Sequence, residues 1–421
     1  MDKGIFVYVD LNEIALLAGR LWFHVRKGRE SATFEYDDTW LNHPERFALE
    51  PAMQLGPGPF HTAPGRSLFG AIGDSAPDRW GRVLMRRSEQ RQAILAGQSP
   101  HTLQEIDYLL MVDDEVRQGA LRFAKDEGGP FLAETSGVGI PPLVDLPKLL
   151  SATEQFINED ENDDDLRLLL APGSSLGGAR PKASIIDSDG ALAFAKFPHK
   201  DDDWDTVTWE AIALSLASKA GLTTPDWRYE LIANKPVLIL RRFDRKGKIR
   251  IPYLSALSML SAKDNETHSY LEIADALRQQ GAHPKADLQQ LWRRLVFTIL
   301  ISNTDDHLRN HGFLYEGPDG WRLSPAYDLN PVPIDIKPRV LSTAIDFDNQ
   351  NASIELAFEV AEYFELSPKQ AQMIAEEVRT AISSWRAQAK HYGIAKTHCE
   401  RMASAFEHDD LQKVLANKAT T

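Results

Sequence analysis

Two unlike stretches follow one another in the larger, C-terminal part of this 421-residue chain, and their order limits the fold more than any other feature. Residues 173–243 read as short strands around one helix. "KASIID" and "ALAFAKF" flank the turn "SDG", and "WRYELIA" and "VLILRRF" flank "NKP", both in the pattern of hairpins. Between the pairs, "DTVTWEAIALSLASKAGL" has helical spacing, with Asp205 near its start and Gly221 as its stop. From about residue 250 the apolar spacing is helical at 253–262, 270–279, 285–302, 353–364, 368–391 and 396–416. A hairpin at 313–323 and a polar loop at 333–352 interrupt it. A β-rich lobe is therefore followed by a helical one, and no internal repeat is present.

The N-terminal third is a further region. "IFVYVDL", "LLAGRLWFHV" and "SATFEYD" alternate in the manner of an antiparallel meander. "GPGPF" and "TAPGRSLFGAIGDSAPDRWGRVLMRR" form a Gly/Pro-rich loop leading into a helix, followed by a charged helical stretch to about residue 150. The expected divisions are 1–150, 151–245 and 246–421. The acidic run "EDENDDD" at 159–165 reads as a solvated link or helix start. A calcium loop needs alternate ligands and a central Gly, which the run lacks.

Composition narrows the function classes. A hydrophobic content of 43% supports real cores. The formal charge of −14 means that any contact with nucleic acid must come from a local basic patch or a basic partner. The single cysteine, Cys399, excludes an intrachain disulfide, suits a reducing cytoplasm and reads as an inert packed thiol. "MDKGIFVYVD" has no signal-sequence pattern and "LVFTILI" is too short to cross a bilayer, so a cytoplasmic protein without membrane contact is expected.

The dense polar stretch "NTDDHLRNHGF" at 303–313 points to chemistry. Phosphoryl transfer from ATP needs a backbone cradle for phosphates, a cation, oxygen ligands for Mg²⁺ and a carboxylate to orient the attacking hydroxyl. "GSSLGGARPK" offers the cradle: Gly173, Gly177 and Gly178 let backbone N–H groups approach an anion, and Lys182 closes the loop within reach of phosphate. It matches neither the P-loop nor GxGxxG spacing, and a Gly/Ser-rich hairpin turn is the competing reading. Lys196 in "AFAKFPH" shares a strand face with Leu192 and Phe194. A lysine there needs an anion if it is buried, or snorkels to the strand end; Glu210 on the next helix is a candidate to fix it. Asp305 and Asn310 stand in the D-x-x-x-x-N spacing of kinase catalytic loops, as base and metal ligand. A hairpin then leads to Asp328 in "AYDLNP", a second Mg²⁺ ligand. His307 and His311 have the spacing of a zinc pair, but the loop does not read as a helix and the HExxH glutamate is missing. His307 is expected to pack and hold the loop, and His311 to be a solvated loop residue.

Through "SLGGARPK", "AKFP", "RRFDR", "NTDDHLRN" and "YDLNP", with "DSAPDRWG" in the N-terminal region, the chain resembles the HipA family of serine/threonine kinase toxins. The resemblance implies an α+β, bilobal protein-kinase-like fold with an added N-terminal β-rich subdomain and an all-α C-terminal lobe. It implies a toxin of a type II toxin–antitoxin module, paired with a HipB-like helix-turn-helix antitoxin whose complex binds operator DNA. Its substrate would be a translation component such as an aminoacyl-tRNA synthetase, whose phosphorylation stops growth and favours persistence. Autophosphorylation of a Gly-rich-loop serine would silence it.

By position, the resemblance puts the catalytic base on Asp305 and the Mg²⁺ ligands on Asn310 and Asp328. ATP binding falls on Gly177, Gly178, Ala179, Arg180 and Lys182, on Lys196, on a hinge at Arg241, Arg242 and Phe243, and on His307, Asn310, Tyr327 and Asp328. The autophosphorylated serine falls on Ser175, with Ser174 beside it. Arg180 stands where the family usually has glutamine, and Asp306 where a glycine is common; Arg180 adds charge near the phosphates and Asp306 is expected to repel or assist metal. Two other readings stand beside this one: a catalytically silent kinase-fold co-repressor, and a small-molecule kinase.

Overall fold

The computed structural model of the protein describes residues 4–132, 140–170, 178 and 180–416. The chain forms two units, Met1–Asp201 with Glu230–Leu254, and Asp202–Tyr229 with Ser255–Thr421.

The first unit holds two main sheets and a short two-stranded ribbon, Arg245–Lys246 with Ile249–Arg250. Strands β1 (Ile5–Leu11), β2 (Ile14–Arg26) and β3 (Arg29–Tyr36) form the expected meander. Its turns are the two-residue kind that needs positive φ at both positions, supplied by Asn12 and Glu13 and by Lys27 and Gly28. β4 (Pro59–His61) pairs with β3, and β5 (Leu121–Ala124) covers the free edge of β1, giving the order β4-β3-β2-β1-β5. β5 corrects the expectation of a helical stretch up to residue 150. Phe123 and Ala124 are both fully buried, and pairing on an open sheet edge decided this short segment against its charged surroundings.

The second sheet contains β6 (Lys182–Ile186), β7 (Leu192–Lys196), β8 (Trp227–Ile232) and β9 (Lys235–Arg241) in the order β6-β7-β9-β8. One face carries Ala183, Ile185, Ala193, Ala195, Val237 and Ile239 into a core with Leu149, Phe156 and Trp80. The other face presents Lys182, Ser184, Phe194, Lys196, Leu238 and Leu240, as the cross-strand register requires. The acidic run does start a helix, Asp163–Leu170, where Asn162 Oδ1 accepts from the N–H groups of Asp164 and Asp165. It is less solvated than expected. Glu161 is buried and pairs with Arg87 at 3.2 Å, and Asp163 pairs with Arg91.

The second unit is helical apart from the expected hairpin, Gly312–Tyr315 and Trp321–Leu323. Helix Thr206–Lys219 is capped by Asp205, which accepts from Thr208 N–H, and Gly221 follows its end at φ +76°. Its Trp209 ring lies 6.1 Å from those of both Trp385 and Phe406. Helix Pro284–Leu300 runs through the middle of this core, and its Trp292 indole donates to Ala357 O at 2.9 Å. Three expected helices differ. Residues 253–255 are extended before the short helix Ala256–Met259, capped by Ser255. The stretch 368–391 breaks at Ser383 and Ser384, whose hydroxyls turn back to the carbonyls of Thr380 and Ala381 at 2.7 Å each. The stretch 396–416 divides into Lys396–Phe406 and Asp409–Ala416. Among the described residues no helix is long and apolar enough to cross a membrane.

Candidate active site

In the second unit the polar loop grows from the end of helix Pro284–Leu300. Ser302 adopts φ +53°, and Asn303 N–H reaches back to Thr298 O at 3.0 Å, which stops the helix and turns the chain. The carbonyl of Asp305 then gathers two donors, the N–H of His307 at 2.9 Å and the side-chain amide of Asn310 at 3.0 Å. Asn310 is buried, and because its Nδ2 is committed to this contact, its Oδ1 is the end left to face a ligand. His307 holds the loop with its main chain, donating to Asp305 O and accepting from Asn310 N–H at 2.8 Å. After the hairpin, the Tyr327 hydroxyl donates to Arg309 O at 2.8 Å, and Asp328 takes a left-handed φ of 58°. The neighbours of Asn310 and Asp328 are thus directly joined. Asp328 sits in the left-handed region, which aspartate enters more readily than most non-glycine residues.

Two sequence expectations for this loop are corrected. His311 is not solvated: it is fully buried, edge-on to Tyr270 with ring centroids 5.2 Å apart, and its Nε2 lies 3.2 Å from Asp306 Oδ1. Asp306, expected beside a metal, turns its carboxylate into the core. It accepts from the Tyr270 hydroxyl and, at 3.3 Å, from Thr298 Oγ1. Burial pushes the Asp306 carboxyl up, but His311, Tyr270 and Arg294 together hold it below its ordinary value. Burial, reinforced by Asp306, raises the Tyr270 hydroxyl well above the usual range.

The residues around 333–352 support the same loop from below, a role the sequence did not reveal. Lys337 Nζ and Ser342 Oγ both donate to Thr304 O, at 3.1 and 2.9 Å, and Thr343 Oγ1 donates to Asp306 O at 2.6 Å. Arg339 bonds Ser302 Oγ and Ile299 O at 3.0 Å each and pairs with Asp410 at 2.6 Å. These donors are tens of residues away, so no local pattern could have found them.

In the first unit, Lys182 and Lys196 are directly opposed across β6 and β7, and both are buried. Lysines buried in a low-dielectric setting require anionic or polar partners. Lys182 is held by Asp78 at 2.5 Å and donates to Gly178 O at 3.2 Å. Of the remaining Gly-rich positions, Gly177, Ala179, Ser174 and Ser175 lie outside the described residues. At the expected hinge, Arg242 turns into a buried ion cluster. It bonds Asp244 and donates to Val116 O at 2.9 Å, while Arg241 pairs with Asp189. Burial opposes ionisation of Asp244, but Arg242 and Arg245 outweigh it and keep the carboxyl far below its ordinary value. Phe243 stacks at a tilt on Tyr253, with centroids 6.4 Å apart. Glu210 belongs to the second unit, where it is buried on helix Thr206–Lys219.

Comparison with known proteins gives this geometry a context. The protein named Putative kinase Y4mE of Sinorhizobium fredii is 23% identical over 397 residues, covering 86% of this chain and 80% of that one. A Haemophilus influenzae protein named Putative kinase is 36% identical over 67 residues, 16% of this chain and 20% of its own. The solved structure of Shewanella oneidensis HipA with HipB and its operator DNA matches with a TM-score of 0.64 at 16% identity, covering 98% of this chain and 96% of that one. The fold is therefore that of HipA, α+β and kinase-like. A family model described as the HipA-like C-terminal domain matches residues 174–385, just over half of the chain. The chain belongs to the HipA-like C-terminal domain family.

Proposed function

We propose that this protein is an ATP- and Mg²⁺-dependent serine/threonine protein kinase of the toxin type. The observation that carries the reading is the fastening of Asn310 to the Asp305 carbonyl, with Tyr327 tied to Arg309 beside them. Asn310 Oδ1 and the Asp328 carboxylate make a donor set of hard oxygens, which fits Mg²⁺; the ion would neutralise the phosphate oxygens when bound. Asp305 accepts the proton of the attacking hydroxyl. In the first unit, Lys196, Lys182, Gly178 and Arg180 take the phosphates, and the segment Arg241–Phe243 takes the base. The opposed lysines support that assignment, because they place two cationic side chains across adjacent strands at the end of the Gly-rich segment.

The acceptor on the chain itself is Ser175. The partners that fit an acidic chain are a HipB-like helix-turn-helix antitoxin and, through it, operator DNA; a protein substrate such as an aminoacyl-tRNA synthetase follows from the family likeness. The test is direct. The purified protein is incubated with ATP and Mg²⁺ and weighed, and the 173–182 peptide is examined for one added phosphate. Asp305→Gln should bind nucleotide and gain no phosphate. Transfer at an undiminished rate by Asp305→Gln ends the assignment.

A further inference from the structure

Asp78 lies far from the phosphate-binding segment in sequence, yet one of its carboxylate oxygens touches that segment's last residue. Asp78 caps helix Arg79–Leu95, with Oδ1 accepting from Gly81 N–H at 2.8 Å. Its other oxygen, Oδ2, holds Lys182 Nζ at 2.5 Å, and both side chains are about 95% removed from solvent. Two residues on, the Trp80 indole donates to the Lys182 carbonyl at 3.0 Å. The same Lys182 ammonium reaches Gly178 O at 3.2 Å. Gly178 has φ +117°, a conformation open to glycine and strained for other residues, and a Cβ there would sit 3.2 Å from the Lys182 Nζ. Helix cap, lysine and glycine carbonyl thus form one chain of contacts, all within the first unit.

We propose that Asp78 is a positioning residue which sets the Gly178–Lys182 segment through Lys182, and so prepares its backbone for phosphate. This rests on the kinase reading above. With Asp78 ionised, Lys182 is drawn to one side while its ammonium also reaches Gly178 O, which fixes that peptide plane. Burial raises the Asp78 carboxyl despite the neighbouring Lys182, so the arrangement depends on keeping the lysine close. Helix Arg79–Leu95 becomes a handle on the segment: a shift of its first turn moves Lys182 and Gly178 together.

Asp78→Asn isolates this role, because asparagine caps a helix as well as aspartate, while the amide NH2 that replaces Oδ2 carries no charge and cannot accept from Lys182. Two measurements are made on the full chain. Hydrogen exchange of peptides spanning 178–182, without nucleotide, should rise about tenfold in Asp78→Asn, the size expected for loss of a charged hydrogen bond. Binding of a fluorescent ATP analogue with Mg²⁺ should weaken in Asp78→Asn and weaken more in Lys182→Met, which also loses a phosphate contact, and the double variant should match Lys182→Met. A purely structural role for Asp78 would instead give losses that multiply.

Unchanged exchange in Asp78→Asn overturns the proposal, as do multiplying losses. If the unaltered protein binds no nucleotide, the kinase reading falls, and the exchange result alone decides whether Asp78 sets the segment. Should Asp78→Asn not fold, Trp80→Phe removes the indole N–H to Lys182 O together with part of a buried ring, and Trp40→Phe, the same change at a buried indole donor away from the segment, controls for the lost packing. A smaller rise in exchange at the same peptides then supports the linkage, and no rise refutes it.

Discussion

The hydroxyl of Tyr327 donates to the carbonyl of Arg309 over 2.8 Å. The contact ties the segment after the hairpin to the loop before it. Each partner stands next to a residue assigned to the metal, Asp328 on one side and Asn310 on the other. Asp328 is held at φ 58°, a conformation in the left-handed region that few non-glycine residues other than asparagine and aspartate enter readily. A tether one residue away is a direct means of imposing it.

Tyr327→Phe keeps the ring and removes the tether. Stability should fall by about 1 kcal/mol, the net worth of one hydrogen bond. Autophosphorylation should slow by about tenfold, because ligand placement at a metal tolerates little displacement. Nucleotide-dependent mass gain over time reads the rate, and urea denaturation reads the stability. A rate within about twofold of the unaltered protein would mean that the tether does not set Asp328.

Thr343 is the clearest support beneath the loop. Its buried hydroxyl donates to Asp306 O at 2.6 Å. Valine has the same shape and no donor, so Thr343→Val leaves a buried carbonyl short of a partner at a cost of about 1–3 kcal/mol. Thr343→Ser should stay close to the unaltered protein. Comparing denaturation midpoints of the two variants checks this, and equal midpoints would remove Thr343 from the support.

Asp306 should prove to be a stability residue. Asp306→Ala leaves His311 and Tyr270 buried without their shared acceptor, and breaking such a buried set costs about 3–5 kcal/mol. The carboxyl lies below its ordinary value in the folded chain. Its contribution is therefore complete above the unfolded value and is lost as pH falls through the folded one, which places the loss below about pH 4. Thermal melting of Asp306→Ala and of the unaltered protein at neutral pH decides the size, and a melting point unchanged by the substitution contradicts the role.

What could be read from the sequence follows the range of the interactions. Strands β1 to β3, helix Thr206–Lys219 with its Asp205 cap, and the hairpin after the polar loop are local patterns, and periodicity with turn chemistry marked them. Alternation along "ALAFAKF" correctly grouped Leu192, Phe194 and Lys196 on one face. The misjudged residues are those whose environment is made by distant partners. Asp306 and His311 look like loop residues next to Asp305, and only Tyr270, Thr298 and Arg294 turn them into core. β5 is too short to announce itself without the edge of β1. The helix breaks at Ser383 and at His408 arise from side-chain bonds and packing that helical spacing does not encode. Asp78 stood in a motif that could be noticed, but its contact with Lys182 across about a hundred residues could not be.

His408 gives the chain a pH dependence that can be isolated. It is half-buried at the break between two C-terminal helices, with Nε2 3.3 Å from Leu300 O and Nδ1 3.7 Å from Asp410, close to Arg339. Burial first, and then the Arg339 charge, lower its pKa to about 4 against the opposing pull of Asp410. Between that value and the ordinary one near 6.5 the unfolded chain binds a proton that the fold refuses. Stability therefore falls as pH drops through this window, by about 2 kcal/mol between pH 7.5 and pH 5. His408→Asn has no such proton to bind and should lack this component. Denaturation of both proteins at the two pH values gives the difference directly. A gap between them that does not change with pH would show that His408 titrates alike in the folded and unfolded chain, and that Arg339 and Asp410 leave it unperturbed.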